Sequence, residues 1–196
     1  MKNTTHHLST GKITEIGTGH AVFLLQRAPN ETIVDRLGGR FRVVTIEVGP
    51  GADPTDVARA LAEAGARTAI SKYSVVAESD LAPVAIAHAI ESADSVETLI
   101  LIAPQAIRTN GASRDLPLEE IKAPTLALFG TRDEVTAPET GRIYARRIPC
   151  CFYTLVYDAG HDISTDRPQA LLSVVCDFLE HHEKFVVAAG SSAISP

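Results

Sequence analysis

Short runs of valine, leucine and isoleucine alternate with helix-patterned segments along most of the chain. The runs stand at 22–25, 42–48, 73–77, 96–102, 125–129 and 152–157. Most are dominated by apolar residues instead of alternating apolar with polar, as strands covered on both faces require. At least six such strands with helices between them predict an α/β fold, a mostly parallel central sheet flanked by helices.

The intervening segments carry helix punctuation. Asp53 can cap a helix starting at Pro54, with Val57, Ala60, Leu61 and Ala64 on one face and Gly65 to close it. Asp166 precedes Arg167-Pro168 in the same way, and Leu171, Val174, Val175 and Phe178 continue one apolar stripe to Leu179. A third helix is expected over about 81–92, headed by Ser79. Only about twenty residues, 104–124, separate two of the strands, which leaves no room for a second domain. A single domain is therefore expected over 1–187, with a fraying tail of small residues at 188–196.

Composition removes several classes of function. Twenty-four acidic against eighteen basic residues, and no tryptophan, give neither a phosphate-binding footprint nor a stacking surface, so nucleic acid is not an expected partner. No run is long enough to span a bilayer, and the first residues lack the apolar core of a signal peptide, so a cytoplasmic protein is expected. Cys150, Cys151 and Cys176 form neither a disulfide framework nor a zinc spacing, and they read as reduced thiols. An exposed edge strand or terminal helix would offer a homodimer contact.

Ligands of such sheets bind beyond the carboxyl ends of the strands. Three reactive residues stand there: Ser79 after the run at 73–77, Asp133 after that at 125–129, and His161 after that at 152–157. A serine hydroxyl needs a base to remove its proton, and the base works best when a carboxylate fixes its tautomer. The remaining histidines read as structural: His88 on a helix face, His181 and His182 near a helix end. Ser74 lies inside a strand and is only a backup nucleophile. Cys150 and Cys151 read as structural.

At these residues the chain resembles the α/β-hydrolase family. Glu15-Ile16-Gly17-Thr18-Gly19-His20-Ala21-Val22-Phe23-Leu24-Leu25 is similar to the family's early strand pair and turn. The segment from Phe41 through Val48 to Gly49-Pro50-Gly51 is similar to the next strand and its turn. Ala123-Pro124-Thr125-Leu126-Ala127-Leu128-Phe129-Gly130-Thr131-Arg132-Asp133 is similar to the strand and loop bearing the family's acid, and Ala159-Gly160-His161 to its histidine loop. The order Ser, Asp, His is also the family's. Spacing agrees independently: about 20 residues from Ser79 to Leu99 leave room for one crossover helix, and 28 from Asp133 to His161 for one helix and one strand.

The resemblance implies an α/β-hydrolase fold without a cap domain, and a Ser79–His161–Asp133 triad acting on a small-molecule ester, thioester or amide with no metal or cofactor. Its oxyanion donors would be the N–H groups of Asp80 and Ala28. The elbow departs from the family's G-x-S-x-G: here it is Ala77-Glu78-Ser79-Asp80-Leu81. The loop after the first strong strand, usually His-Gly, reads Gln26-Arg27-Ala28-Pro29-Asn30. A carboxylate at Asp80 opposes a developing oxyanion, so Arg27 is expected beside it, neutralising it or selecting an anionic substrate. The altered elbow also leaves a second expectation, a hydrolase-like protein without catalysis that works as a binding or interaction module. Ser79 would then be only a helix cap.

Overall fold

Each apolar run becomes a strand whose side chains alternate between two cores. The computed structural model describes residues 4–8, 11–49, 52–105, 108–109, 112–113 and 116–184; the tail at 188–196 lies outside the described residues. Among the described residues the central sheet has eight strands: β1 Thr4–His7, β2 Gly11–Ile16, β3 Ala21–Gln26, β4 Arg42–Val48, β5 Tyr73–Glu78, β6 Val96–Ile102, β9 Thr125–Gly130 and β10 Cys151–Val156. The two-residue strands β7 Arg108–Thr109 and β8 Ala112–Ser113 form a separate hairpin within 104–124.

The strand order is β1-β2-β4-β3-β5-β6-β9-β10. The β1–β2 and β2–β4 pairs are antiparallel, and every pair from β4 to β10 is parallel. The early strands β2 and β3 are thus consecutive in the chain but separated by β4. Gly17, at φ +79°, makes the connection: a Cβ there would lie 2.1 Å from the carbonyl oxygen of Phe41.

Phe23, Leu25, Val75, Ala77, Leu99, Leu101, Ala127 and Phe129 point to one face. They meet the helices α2 Pro54–Thr68, α3 Ala82–Glu91 and α4 Gly141–Arg147. Val22, Leu24, Val76, Ile100, Leu126 and Leu128 point to the other, against α1 Glu31–Gly38, α5 Ile163–Asp166 and α6 Pro168–His181. Period-two alternation with both faces covered makes most strand positions apolar, with buried Thr45, Ser74, Thr98 and Thr125 as exceptions. No helix of the described residues is long and apolar enough to cross a membrane.

The helix ends correct three expectations. Asp53 caps α2 through the N–H groups of Thr55 and Asp56, at 2.8 and 2.9 Å. Gly65, however, does not close that helix, which runs on to Thr68 and ends at Ala69 in the left-handed region, φ 51°. Nothing at Gly65 forces an exit, and helical bonding continues until Ala69 adopts the turn. Asp166 does not cap α6 either: it ends α5, and its Oδ2 accepts the Gly160 N–H at 2.7 Å. Nor does the Ser79 side chain cap a helix; residues 79–81 form a single 3-10 turn before α3 begins.

Candidate functional site

In the sheet, β3 is followed by β4 on one side and, after the crossover, by β5 on the other. A crevice opens at such a reversal, beyond the carboxyl ends of the two diverging strands. Gln26-Arg27-Ala28 leaves β3 there and Glu78-Ser79-Asp80 leaves β5, and both segments line one cleft of about 720 Å³ together with His161, Asp162 and Ser164.

Ser79 sits at φ +52°, a left-handed conformation that costs a non-glycine residue energy and marks a sharp strand-to-helix turn. Its Oγ is 2.8 Å from Nε2 of His161. Nδ1 of His161 is 2.8 Å from Oδ2 of Asp133, whose side chain is wholly buried. The other carboxylate oxygen, Oδ1, accepts the N–H groups of Val135 and Thr136, both at 2.8 Å. Those two bonds fix the carboxylate's plane and satisfy the oxygen that faces away from His161. With Oδ2 of Asp133 as the acceptor at Nδ1, the ring proton sits there and Nε2 is left as the acceptor facing Ser79.

Three loops from three strands must converge for this, and glycine makes the closest contact. At Gly130, ending β9, a Cβ would stand 2.2 Å from the carbonyl oxygen of Gly160 and 2.3 Å from that of Ala159. The Arg132 N–H donates to the Ala159 oxygen at 2.8 Å, joining the loop that carries Asp133 to the one that carries His161. Leu81, in the elbow's second glycine position, is buried in the core beneath α3, at 1% exposure. The 3-10 turn gives the branched side chain that place before the α-helix starts.

Arg27 and Asp80 meet across the mouth of the cleft. Nε and Nη2 of Arg27 donate to Oδ2 of Asp80 at 3.2 and 2.7 Å, and Nη1 donates to the carbonyl oxygens of Gly49 and Ala52 at 2.7 and 3.4 Å. Both partners are partly exposed, so the pair adds little stability. It ties the loops after β3, β4 and β5 to one another. Ala28 lines the same cleft. Ser74 lies at the opposite end of β5, fully buried, accepting from Thr98 Oγ1 at 2.6 Å and bonded to His20 Nε2 at 2.8 Å. Burial pushes the Cys151 thiol up to about 12, with Cys150 adding to the rise, which removes Cys151 as a thiolate nucleophile at neutral pH.

Sequence reasoning passes over two residues of this site. Gln105 follows the carboxyl end of β6, and its Nε2 lies 2.9 Å from Ser79 Oγ and 3.1 Å from His161 Nε2. The rule that nominated the other strand ends applies to it as well, but an amide does not titrate and drew no attention. Glu78, the last residue of β5, has Oε1 buried with no hydrogen-bond partner among the described residues. Its Oε2 has only a long contact of 3.4 Å with Ser164 Oγ, whose proton is better placed for Asp162 at 2.9 Å.

Burial, then the neighbouring Asp162, pushes the Glu78 carboxyl up to about 7 from 4.5. A raised carboxyl favours its protonated form in the fold, so its contribution is complete below the unfolded value and is lost as pH rises through about 7. Glu78→Gln removes the cost of ionisation. The variant is expected to melt above the parent at pH 8.5, by a margin corresponding to about 3 kcal/mol, and to lose that advantage toward pH 4.5. Thermal melts of both proteins across that range check it. Burial lowers His20 and His88, so both disfavour the acid side, but they do so equally in parent and variant.

No protein family and no curated protein matches the chain. Solved structures do. A predicted CIB-like hydrolase from Thermoplasma acidophilum superposes with a TM-score of 0.74 at 15% identity, over 91% of this chain and 97% of that one. Carboxylesterase CesB from Bacillus subtilis gives 0.76 at 14% identity, over 91% of each chain. A thermophilic esterase from Thermogutta terrifontis gives 0.77 at 19% identity, over 92% and 98%. With the strand order and the left-handed serine turn, these define the chain as having the α/β-hydrolase fold, a mostly parallel sheet flanked by helices.

Proposed function

We propose that the protein is a serine hydrolase acting on a small ester, thioester or amide. The observation that carries this reading is the unbroken relay from Ser79 through His161 to buried Asp133, with both links at 2.8 Å. Ser79 Oγ attacks the acyl carbon while its proton passes to Nε2 of His161, and Asp133 stabilises the imidazolium that forms. The carbonyl oxygen, now negative, is held by the N–H groups of Asp80 and Ala28. As the intermediate collapses, His161 returns the proton to the leaving group. Water then repeats the sequence on the acyl-enzyme and frees the acid.

Arg27 belongs to this reading as the cation that offsets Asp80 near the oxyanion. Its donors are committed to Asp80 and to the Gly49 and Ala52 carbonyls, so neutralisation fits it better than selection of an anionic substrate. The cleft has the size of a small-molecule site, and the short segment at 104–124 leaves it without a cap domain. The esterases and hydrolases among the structural neighbours favour acyl-transfer chemistry over a binding module.

A fluorophosphonate probe tests the proposal. The parent protein is expected to take a covalent label between about pH 6 and 9, and Ser79→Ala to take none while melting at a similar temperature. A folded parent that stays unlabelled would instead favour a non-catalytic binding module.

A further inference from the structure

A third side chain contacts the two atoms at the head of the relay, Ser79 Oγ and His161 Nε2. Beyond β6 the chain turns at Ala103, itself left-handed at φ 44°, and passes through buried Pro104. The backbone N–H of Gln105 then donates to the carbonyl oxygen of Ser79 at 3.1 Å. This pins Gln105 to the elbow and turns its carboxamide onto the two atoms that exchange the proton, Ser79 Oγ at 2.9 Å and His161 Nε2 at 3.1 Å.

A position within hydrogen-bond reach of both atoms has a specific meaning in acyl transfer. The proton that His161 receives from Ser79 must leave for the departing atom, which is bonded to the same carbon that Oγ attacks. That atom therefore stands next to Oγ and within reach of Nε2. In the second half-reaction the attacking water stands in the same seat. Nε2 of Gln105 meets both distance conditions.

The contact also weakens both reactive groups. Nε2 of His161 has one lone pair, because Nδ1 holds its proton toward Asp133, and the Gln105 N–H competes with the Ser79 hydroxyl for it. The second amide hydrogen donates into Oγ and draws on the electron density that must attack. Resting on the triad reading above, we infer that Gln105 is a built-in occupant of the leaving-group seat, and that its carboxamide must swing aside before Ser79 is acylated. Gln105 thereby touches the reacting atoms and adds a step that each substrate has to complete.

Fluorophosphonate labelling isolates acylation from turnover: the Oγ–P bond forms, the P–F bond breaks, fluoride departs, and the Ser79 proton passes to His161. Gln105→Ala and Gln105→Met both remove the donor, the second while keeping most of the side chain's volume. Both variants are expected to label faster than the parent, Gln105→Ala by about tenfold, the equivalent of one or two neutral hydrogen bonds. Gln105→Met carries the test if Gln105→Ala melts early. Parent and folded variants labelling at equal rates, or variants labelling more slowly, would overturn the role given to Gln105 while leaving the hydrolase reading intact. Absence of label in all of them, with the fold retained, would overturn both.

Discussion

Replacing Asp133 by asparagine is expected to lower kcat about ten-thousandfold while leaving the fold intact. The two N–H groups of Val135 and Thr136 approach the same carboxylate oxygen, so the amide of an asparagine must give its oxygen to them. Its NH2 group then faces Nδ1 of His161. Two donors cannot share that contact, and the imidazole answers by moving its proton to Nε2. In that tautomer His161 donates toward Ser79 and cannot accept its proton. Steady-state rates on a p-nitrophenyl ester and labelling with fluorophosphonate should fall together, with little change in melting temperature because the backbone bonds of the loop survive. Unchanged labelling in Asp133→Asn would remove Asp133 from the reaction.

The second large effect is expected at Gly130. Gly130→Ala places a methyl group 2.2 and 2.3 Å from two backbone carbonyl oxygens, those of Gly160 and Ala159. Neither can rotate away as a side chain would, so the histidine loop must shift. Overpacking of this kind costs about 1–3 kcal/mol or more. Displacing His161 by an ångström is expected to cost about a hundredfold in kcat/KM. Gly65→Ala is the matching control. It lies inside α2 with nothing within 4 Å of the added carbon, and the helix gains about 0.5–1 kcal/mol from the change. Thermal melts should move in opposite directions for the two variants, and only Gly130→Ala should lose activity.

Much of the fold was legible because its determinants are local. A run such as Val22-Phe23-Leu24-Leu25 reads as a strand covered on both sides whatever lies around it. Asp53-Pro54 starts a helix through the chemistry of its own first turn. Helix ends were read less well. Gly65 has the freedom to end α2, but the left-handed residue is Ala69, four positions later, and no rule of composition nominates an alanine. Asp166 has the form of a cap but is drawn to the N–H of Gly160, a contact that exists only once α5 has packed beneath the histidine loop.

The candidate site divides along the same line. Ser79, Asp133 and His161 could be nominated because each follows a strand, and strand ends in a parallel sheet collect on one edge. That Arg27 meets Asp80 was an expectation of electrostatics; that it also binds the Gly49 and Ala52 carbonyls follows from where the loop after β4 passes. Gln105 and Glu78 also stand at strand ends, but their residue types do not mark them out. An amide attracts notice only when its neighbours are known, and a glutamate beside a serine becomes unusual only when burial removes its solvent and its partners.

The sequence by itself determined the layers of this protein, the direction of most of its strands and which three loops carry reactive groups, because apolar period and turn chemistry act over a few residues. Tertiary structure alone decided the distances within the relay, the amide resting on the serine and the carboxyl held near neutrality. Those depend on contacts between residues 26 to 86 positions apart, where a shift of one ångström changes a hydrogen bond into none.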